Sequence, residues 1–221
     1  MRYTFRPMKK NPRGRRRESS EETRERILEA ARARFGRYGY RKTTMAEIAG
    51  DLGMSAANLY RYFSSKEEIM SGCMACHLEE RAALLRGAVG ACPGDWSSRF
   101  ETFVVTLVQH TRALFQQMPT INELITELTA TRADLAYRKI RHERALIAEL
   151  LEAGREAGEF HFDDLDRTAA AVQSALVKFS TPLFVPVCSD EEHELAARQT
   201  ARLLVRALTC SDRVQGVSRE R

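Results

Sequence analysis

The 221-residue sequence has few of the residues that interrupt helices, since it contains only six prolines and twelve glycines. Ala, Leu, Glu and Arg are abundant instead, and these are good to moderate helix formers. Strict alternation of apolar and polar residues, which predicts half-buried strands, is absent over any useful length. The sequence therefore predicts an all-α protein.

The sequence also lacks the marks of a secreted or membrane protein. Its five cysteines are an odd number scattered along the chain, so they do not form a disulfide framework and favour a reducing compartment. No run approaches the eighteen apolar residues of a membrane span, and the first seventeen residues lack the apolar core of a signal peptide. We expect a cytoplasmic protein with no membrane contact.

Catalytic patterns are missing as well. The sequence contains no recognisable Ser, His and Asp grouping, no glycine-rich phosphate loop and no HExxH segment. We expect no catalytic residues, no cofactor and no metal ligands, and we do not expect an enzyme.

One segment, Cys73-Met74-Ala75-Cys76-His77, has the spacing of a c-type haem attachment site. Haem is attached to exported proteins, and this chain shows no export signal, so we set that reading aside. Two thiols three residues apart on a helix can also bind a metal or form a redox switch, although zinc would need a further pair of ligands. The alternatives for Cys73 and Cys76 are therefore a redox or metal sensor and ordinary buried cysteines.

Two short helices joined by a tight turn are predicted near residue 50. Thr44 with Glu47 three residues later forms the capping-box pattern that begins a helix. Gly53 is suited to the left-handed conformation that ends it, and Ser55 can cap a second helix over 56–62. The apolar positions of the first helix recur at helical spacing and form one inward face: Met45, Ile48, Ala49 and Leu52.

The second helix carries side chains suited to reading a DNA groove. Small residues at its start would let the backbone approach base edges, while Asn58 and Arg61 supply donors and the tyrosines supply hydroxyls. A helical hairpin with no nucleic acid is the alternative, but it would have little use for these polar groups. We predict phosphate contacts from Thr43, Thr44, Tyr60 and Lys66 and base contacts from Ala56, Ala57, Asn58 and Arg61, with Ser55 and Tyr62 beside them.

Residues 27–69 resemble the TetR/AcrR family of bacterial transcriptional regulators. The shared features are the Thr43-Thr44 pair, the Ile48-Ala49 core, the turn at Gly53 and the residues from Leu59 to Lys66 that end the motif, all in register. Members often carry Gly where Ala57 stands and His where Tyr62 stands, so a relative's base preference does not carry over. The resemblance implies a three-helix, helix-turn-helix DNA-binding domain followed by a helical ligand-binding and dimerisation domain.

The predicted organisation has four parts. Residues 1–17 hold eight Arg and Lys and no acid, which predicts a disordered basic arm that follows the DNA backbone or serves as a solubilising tail. Residues 18–68 form the DNA-binding domain, whose first helix is predicted to open at Ser19 or Ser20 with Glu22 and to end near residues 36–39. Residues 69–210 form the helical regulatory and dimerisation domain, and 211–221 a flexible tail. The regulatory helices are predicted at 65–86, 96–118, 120–132, 135–154, 163–185 and 191–208, with a loop at 87–94.

The resemblance implies that the last two long helices pair with their copies in a homodimer. Two DNA-binding domains held one DNA turn apart suit a palindromic operator in double-stranded DNA. It also implies a ligand-responsive repressor, released by a small hydrophobic or amphipathic effector. Bulky apolar side chains with a few polar groups are typical of a ligand cavity, although such stripes are more often plain core. The candidate pocket residues are Trp96, Phe100, Phe103, Leu107, His110, Asn122 and Tyr137.

Overall fold

The computed structural model describes residues 19–187 and 189–210, except for the side chains of Glu127 and Leu128. Within these ranges the chain forms helices and no strand, which confirms the all-α prediction. No helix there combines the length and apolarity that a bilayer crossing requires. The predicted arm at 1–17 and tail at 211–221 lie outside the described residues. The helices are α1 (Ser20–Tyr38), α2 (Met45–Asp51), α3 (Ala56–Tyr60), α4 (Lys66–Ala91), α5 (Trp96–Gln117), α6 (Ile121–Thr131), α7 (Ala133–Glu156), α8 (Leu165–Ser180) and α9 (Asp190–Thr209), with a 3-10 segment at Pro182–Val187.

Local signals begin and end the first helices where the sequence predicted. Ser19 and Glu22 form a capping box at the start of α1, and Gly39 ends it with φ 87°. Thr44 and Glu47 form a second box at the start of α2. Gly53 then adopts φ 66° in the turn to α3, a conformation that glycine reaches without steric cost.

Helices α1–α3, which we call the head, share one hydrophobic core with later parts of the chain. Phe35, Ile48, Leu59 and Phe63 are almost fully buried in it. The same cluster also takes in residues that lie beyond the predicted domain boundary at 68, namely Ile69, Met70 and Cys73 of α4, Ile121 and Leu124 of α6, and Leu135 of α7. The head is therefore packed against the regulatory helices as well as connected to them.

A second core lies between α4, α5, α7, α8 and α9. Phe100 and Phe160 meet edge to face at its centre, with ring centroids 6.3 Å apart. Helix α5 contacts α4, α8 and α9, and α7 packs on α8. This arrangement places α5 in the middle of the regulatory part of the molecule.

Three predicted boundaries are wrong. Helix α3 ends at Tyr60 instead of residue 62, because the chain turns at Arg61. Helix α4 runs through Gly87 and Gly90 to Ala91, since two exposed glycines weaken a long packed helix without ending it. Helix α8 stops at Ser180 because Pro182 cannot continue the helical hydrogen bonding.

Candidate nucleic-acid interface

Helix α3 is held by its inner side and exposed on its outer side. Leu59 is fully buried against the head core, as is Phe63 just after the helix. Ser55, Ala57, Tyr60 and Arg61 are exposed, and Ala56, Asn58 and Tyr62 are partly exposed. The outer side therefore presents two small residues, an amide, a guanidinium and phenol groups.

The hydroxyls that begin α2 and α3 act first as helix caps. The Ser55 hydroxyl accepts a hydrogen bond from the Asn58 backbone N–H at 3.2 Å. The Thr44 hydroxyl donates to Glu47 Oε2 at 2.9 Å and remains exposed. A phosphate contact from Thr44 would therefore exchange its bond to Glu47 for one to the phosphate oxygen.

The prediction that the Thr43 side chain contacts phosphate is wrong. Thr43 is only 1% exposed, and its hydroxyl donates to the Gly39 carbonyl at 2.9 Å inside the head. Lys66 is half-buried, and its ammonium donates to the carbonyl oxygens of Tyr40 and Thr43, both at 2.9 Å. Two of its three N–H groups thus fix the turn before α2, and one is left for a phosphate.

Two arginines of α1 support the surface formed by α2 and α3, and no sequence pattern had indicated them. Arg24 donates to the Tyr62 backbone carbonyl, and its guanidinium lies over the Phe63 ring at 4.2 Å. Arg34 lies 3.1 Å from Glu47 and 2.7 Å from Asp51, so it ties both ends of α2 to α1. Their spacing on α1 gives no hint of these roles, because the partners come from other helices.

Two further cations near α2 were not predicted from the sequence. Arg41 and Lys42 are exposed in the turn between α1 and α2, just before the buried Thr43 and the cap residue Thr44. Their position beside the start of α2 places positive charge at the rim of the surface that α3 presents. Cations next to a groove-reading helix are suited to phosphate contact.

The seven candidate pocket residues are spread over α5, α6 and α7, and their shared role as a ligand site stays a prediction. Phe103 and Leu107 line a narrow cavity, whereas Phe100 is buried in the core beside it. Trp96 lies at the start of α5 with the Arg99 guanidinium 4.9 Å from its ring. Asn122 belongs to α6, and Tyr137 on α7 is 66% exposed.

The cavity itself is small. Its volume of about 10 Å³ is close to the space of one water molecule, far below the roughly 300 Å³ or more of a typical ligand pocket. Residues of four helices line it: Arg81 and Leu85 of α4, Phe103 and Leu107 of α5, Glu143, Leu146 and Ile147 of α7, and Gln173, Leu176 and Ser180 of α8. An effector of any size would have to separate these helices.

The remaining candidate, His110, lies against His77 with ring centroids 5.3 Å apart. Burial lowers the pKa of His77 to about 3, helped by the nearby positive charge of Arg81. Burial and Arg81 likewise lower the pKa of His110 to about 4. Both imidazoles are therefore neutral in the folded protein near neutral pH.

This pair predicts that stability falls on mild acidification. Because both folded-state pKa values lie below the unfolded value of about 6.5, the unfolded chain binds more protons, and stability is full only above that pH. Between about pH 6 and pH 5 the free energy of unfolding should drop by up to about 1.4 kcal/mol per pH unit for each imidazole. Urea denaturation across this range measures the slope.

The matched control replaces exposed His161 by glutamine, which leaves the buried pair of imidazoles intact. The double substitution His77→Gln, His110→Gln should flatten the slope, leaving the contribution of His193, whose pKa burial also lowers. A wild-type stability that is constant from about pH 7 to pH 5 would contradict the assignment.

Of the two cysteines, Cys73 does not have the character of a sensor. Cys73 is buried, its thiol donates to the Leu28 carbonyl at 3.5 Å, and burial raises its pKa to about 12. A reactive thiol needs a lowered pKa, so Cys73 is poorly suited to redox chemistry. In the part of the chain that the structure describes, no group of three or more His, Cys, Asp or Glu side chains is placed to hold a metal ion.

Known families match both parts of the chain. Residues 27–73 match the family described as "Bacterial regulatory proteins, tetR family". Residues 97–201 match the family described as "Tetracyclin repressor-like, C-terminal domain". The uncharacterised helix-turn-helix transcriptional regulator YvkB of Bacillus subtilis is 34% identical over 68 residues, which are 31% of this chain and 36% of YvkB. The match thus spans about a third of that relative's length.

Two solved structures share the fold over most of the chain. The fatty acid degradation regulator FadR of Bacillus halodurans superposes with a TM-score of 0.64 at 19% identity, covering 97% of this chain and 100% of FadR. A TetR-family protein of Mesorhizobium loti superposes with a TM-score of 0.71 at 17% identity, covering 86% of this chain and 98% of that one. At such identities the likeness concerns the fold alone.

Proposed function

This chain belongs to the TetR family of bacterial transcriptional regulators, and we propose that it acts as a dimeric repressor that binds a palindromic operator and is released by a small hydrophobic or amphipathic effector. The observation that carries the proposal is the placement of α3. Its buried Leu59 fixes the helix on the head, while Ala57, Tyr60 and Arg61 face outward. A short helix anchored on one side and exposed on the other is what groove reading requires.

Each exposed side chain has a role in this proposal. Ala56 and Ala57 allow close approach, and Asn58 and Arg61 donate to base edges. Thr44, Tyr60 and the remaining N–H of Lys66 contact phosphates, together with the rim cations Arg41 and Lys42. Ser55 and Tyr62 support the two ends of the helix.

The dimer is proposed to form through α8 and α9. Apolar side chains are exposed on both helices, with Val177 at 51%, Leu195 at 57% and Leu203 at 65%. The 3-10 segment between the helices adds exposed Leu183, Phe184 and Val187. Neighbouring apolar residues of this kind mark a protein interface, and two such helices from each copy make a four-helix bundle.

We propose that the chain divides into domains at 18–68 and 69–210, and that packing contacts link the two. The Thr120 hydroxyl donates to the Phe35 carbonyl at 2.8 Å, so the corner between α5 and α6 contacts the end of α1. Helix α4 forms the second link, since Ile69 lies in the head core and Leu85 in the other core. These contacts, together with Leu135 of α7 in the head core, give movement of the regulatory helices a path to the head.

Binding to duplexes selected from a random pool tests the DNA role. The wild-type dimer should enrich a palindrome with half-sites about 10 base pairs apart, centre to centre. Ala57→Glu places a carboxylate on the outer side of α3 and should weaken binding to the selected duplex about 100-fold, because the charge faces bases and phosphates. Fluorescence anisotropy measures both affinities.

Ala83→Glu is the matched control, since Ala83 is also an exposed helical alanine but lies on α4, away from the head surface. It should bind the selected duplex like the wild type. Enrichment of no duplex at low salt, or equal binding by Ala57→Glu and the wild type, would refute the proposed interface.

A further inference from the structure

Arg81 of α4 is a buried cation whose hydrogen bonds are only partly made. The residue is 3% exposed, and Nη1 lies 2.8 Å from Glu143 Oε1. Its Nε and Nη2 atoms have no hydrogen-bond partner among the described residues. Buried N–H groups without acceptors are rare and costly, so a ligand that supplies acceptors to this edge of the guanidinium would be bound favourably.

The unpartnered edge has the geometry that grips a carboxylate. Nε and Nη2 point their N–H groups in parallel, and two exposed ion pairs of this protein use the same edge. Arg86 binds the two oxygens of Glu149 through Nε and Nη2 at 2.8 and 2.9 Å. Arg132 binds Asp134 in the same way, at 2.8 Å for both bonds.

The charges around Arg81 do not balance. Glu143 Oε1 is shared with the Lys139 ammonium at 2.7 Å, so one carboxylate serves two cations. Glu80, which precedes Arg81 in α4, binds Arg32 with both of its oxygens. Burial lowers the pKa of Lys139, and Arg81 lowers it further. The cluster of Arg81, Lys139 and Glu143 thus has a net positive charge that an anion would neutralise.

The cavity beside Arg81 has a mostly apolar wall. Arg81 and Glu143 are the charged residues that line the cavity between α4, α5, α7 and α8, and the rest of the wall is mostly Leu, Ile and Phe. Gln173 makes hydrogen bonds to Arg144 and to the Ile140 carbonyl, so it is already occupied. A ligand for this site needs one anionic end and an apolar body.

We propose that the effector is a carboxylate amphiphile, whose carboxylate takes the Nε and Nη2 edge of Arg81 and whose apolar body enters between α5, α7 and α8. The inference rests on the proposed ligand-responsive function and names its ligand class. Because the cavity holds about 10 Å³, the ligand binds a state in which these helices have separated. Arg81 lies on α4, which also carries Ile69 and Met70 in the head core, so that separation moves the heads.

Decanoate and 1-decanol are the probes, because they share an apolar chain and differ in charge. Decanoate should bind the wild-type dimer in calorimetry at least about 10-fold more tightly than 1-decanol, and it should release the selected duplex. Arg81→Met should lose at least about 10-fold in decanoate affinity while 1-decanol binding stays unchanged. Glu143 keeps Lys139 as its partner in this variant, which favours folding.

Arg86→Met is the matched control, since Arg86 lies on the same helix but is exposed and paired with Glu149. It should bind decanoate like the wild type. Arg81→Lys keeps the positive charge but lacks the two parallel N–H donors of the guanidinium. Its affinity for decanoate should lie between those of the wild type and Arg81→Met. If Arg81→Met fails to fold, the Arg81→Lys comparison decides the proposal.

Equal affinity for decanoate and 1-decanol, no binding of decanoate, or unchanged decanoate affinity in the Arg81 variants would overturn the inference. The DNA measurement separates this failure from that of the proposed function. A protein that binds the selected duplex but ignores decanoate remains a regulator with a different effector. A protein that binds decanoate through Arg81 but no duplex keeps the site and loses the proposed function.

Discussion

Leu203→Glu is expected to convert the dimer into monomers and to weaken operator binding about 1000-fold. Leu203 is 65% exposed on α9, in the apolar surface that we assign to the dimer with Val177 and Leu195. Twofold symmetry places the new carboxylate in the interface twice, where it is desolvated and without a partner. Two heads on one DNA duplex bind with a high effective concentration, and separated monomers lose that advantage, which is worth about 10²- to 10⁴-fold.

Sedimentation measures the oligomeric state and anisotropy measures operator affinity. Tyr137→Glu is the matched control, since Tyr137 is 66% exposed but lies on α7, outside the proposed interface. It should remain dimeric. A Leu203→Glu protein that sediments as a dimer at the same concentration as the wild type would show that the interface lies elsewhere.

Gly154→Ala should destabilise the protein by about 3 kcal/mol, because an added methyl group has no room. A Cβ at position 154 would lie 2.2 Å from Phe160 Cδ2 and 2.5 Å from Cε2. The Phe160 ring cannot retreat easily, since it is 1% exposed and packs edge to face on Phe100. The backbone around it is also fixed, with the His161 N–H donating to the Leu208 carbonyl at 2.7 Å.

Thermal and urea denaturation measure this loss, which corresponds to a decrease in Tm of about 6 to 12 °C for a chain of this size. Gly87→Ala is the control, because Gly87 is an exposed helical glycine with no atom within 4 Å of an added Cβ. It should stabilise the protein by about 0.5 to 1 kcal/mol through helix propensity. A Gly154→Ala protein as stable as the wild type would mean that the Phe160 ring is free to move.

Helix starts in the head followed from the sequence because their causes are local. A capping hydroxyl with Glu three residues later needs only neighbouring backbone, as at Ser19 and Thr44, and a left-handed turn needs only Gly53. Boundaries that depend on packing were predicted less well. Gly87 and Gly90 remain helical because α4 is packed along its length, and sequence signals alone indicated a loop there.

The roles of individual polar residues divide in the same way. Asn58, Tyr60 and Arg61 were assigned to the outer side of α3, and the structure leaves them exposed or partly exposed. Thr43 was assigned to the same surface, but its side chain turns inward to the Gly39 carbonyl. Helical periodicity does not apply to the turn before α2, so the direction of that side chain could not be predicted.

The all-α class follows from the composition of the chain, and the helix-turn-helix with its buried anchor Leu59 follows from spacing within one short segment. The exposure of Leu203, and the meeting of Arg81 with Glu143 and Lys139 beside an apolar cavity, became known only from the packed helices. The reason is physical. Periodicity shows that a helix has an apolar side, but which side meets the protein's own core, and which charges meet across helices, depends on how distant segments pack.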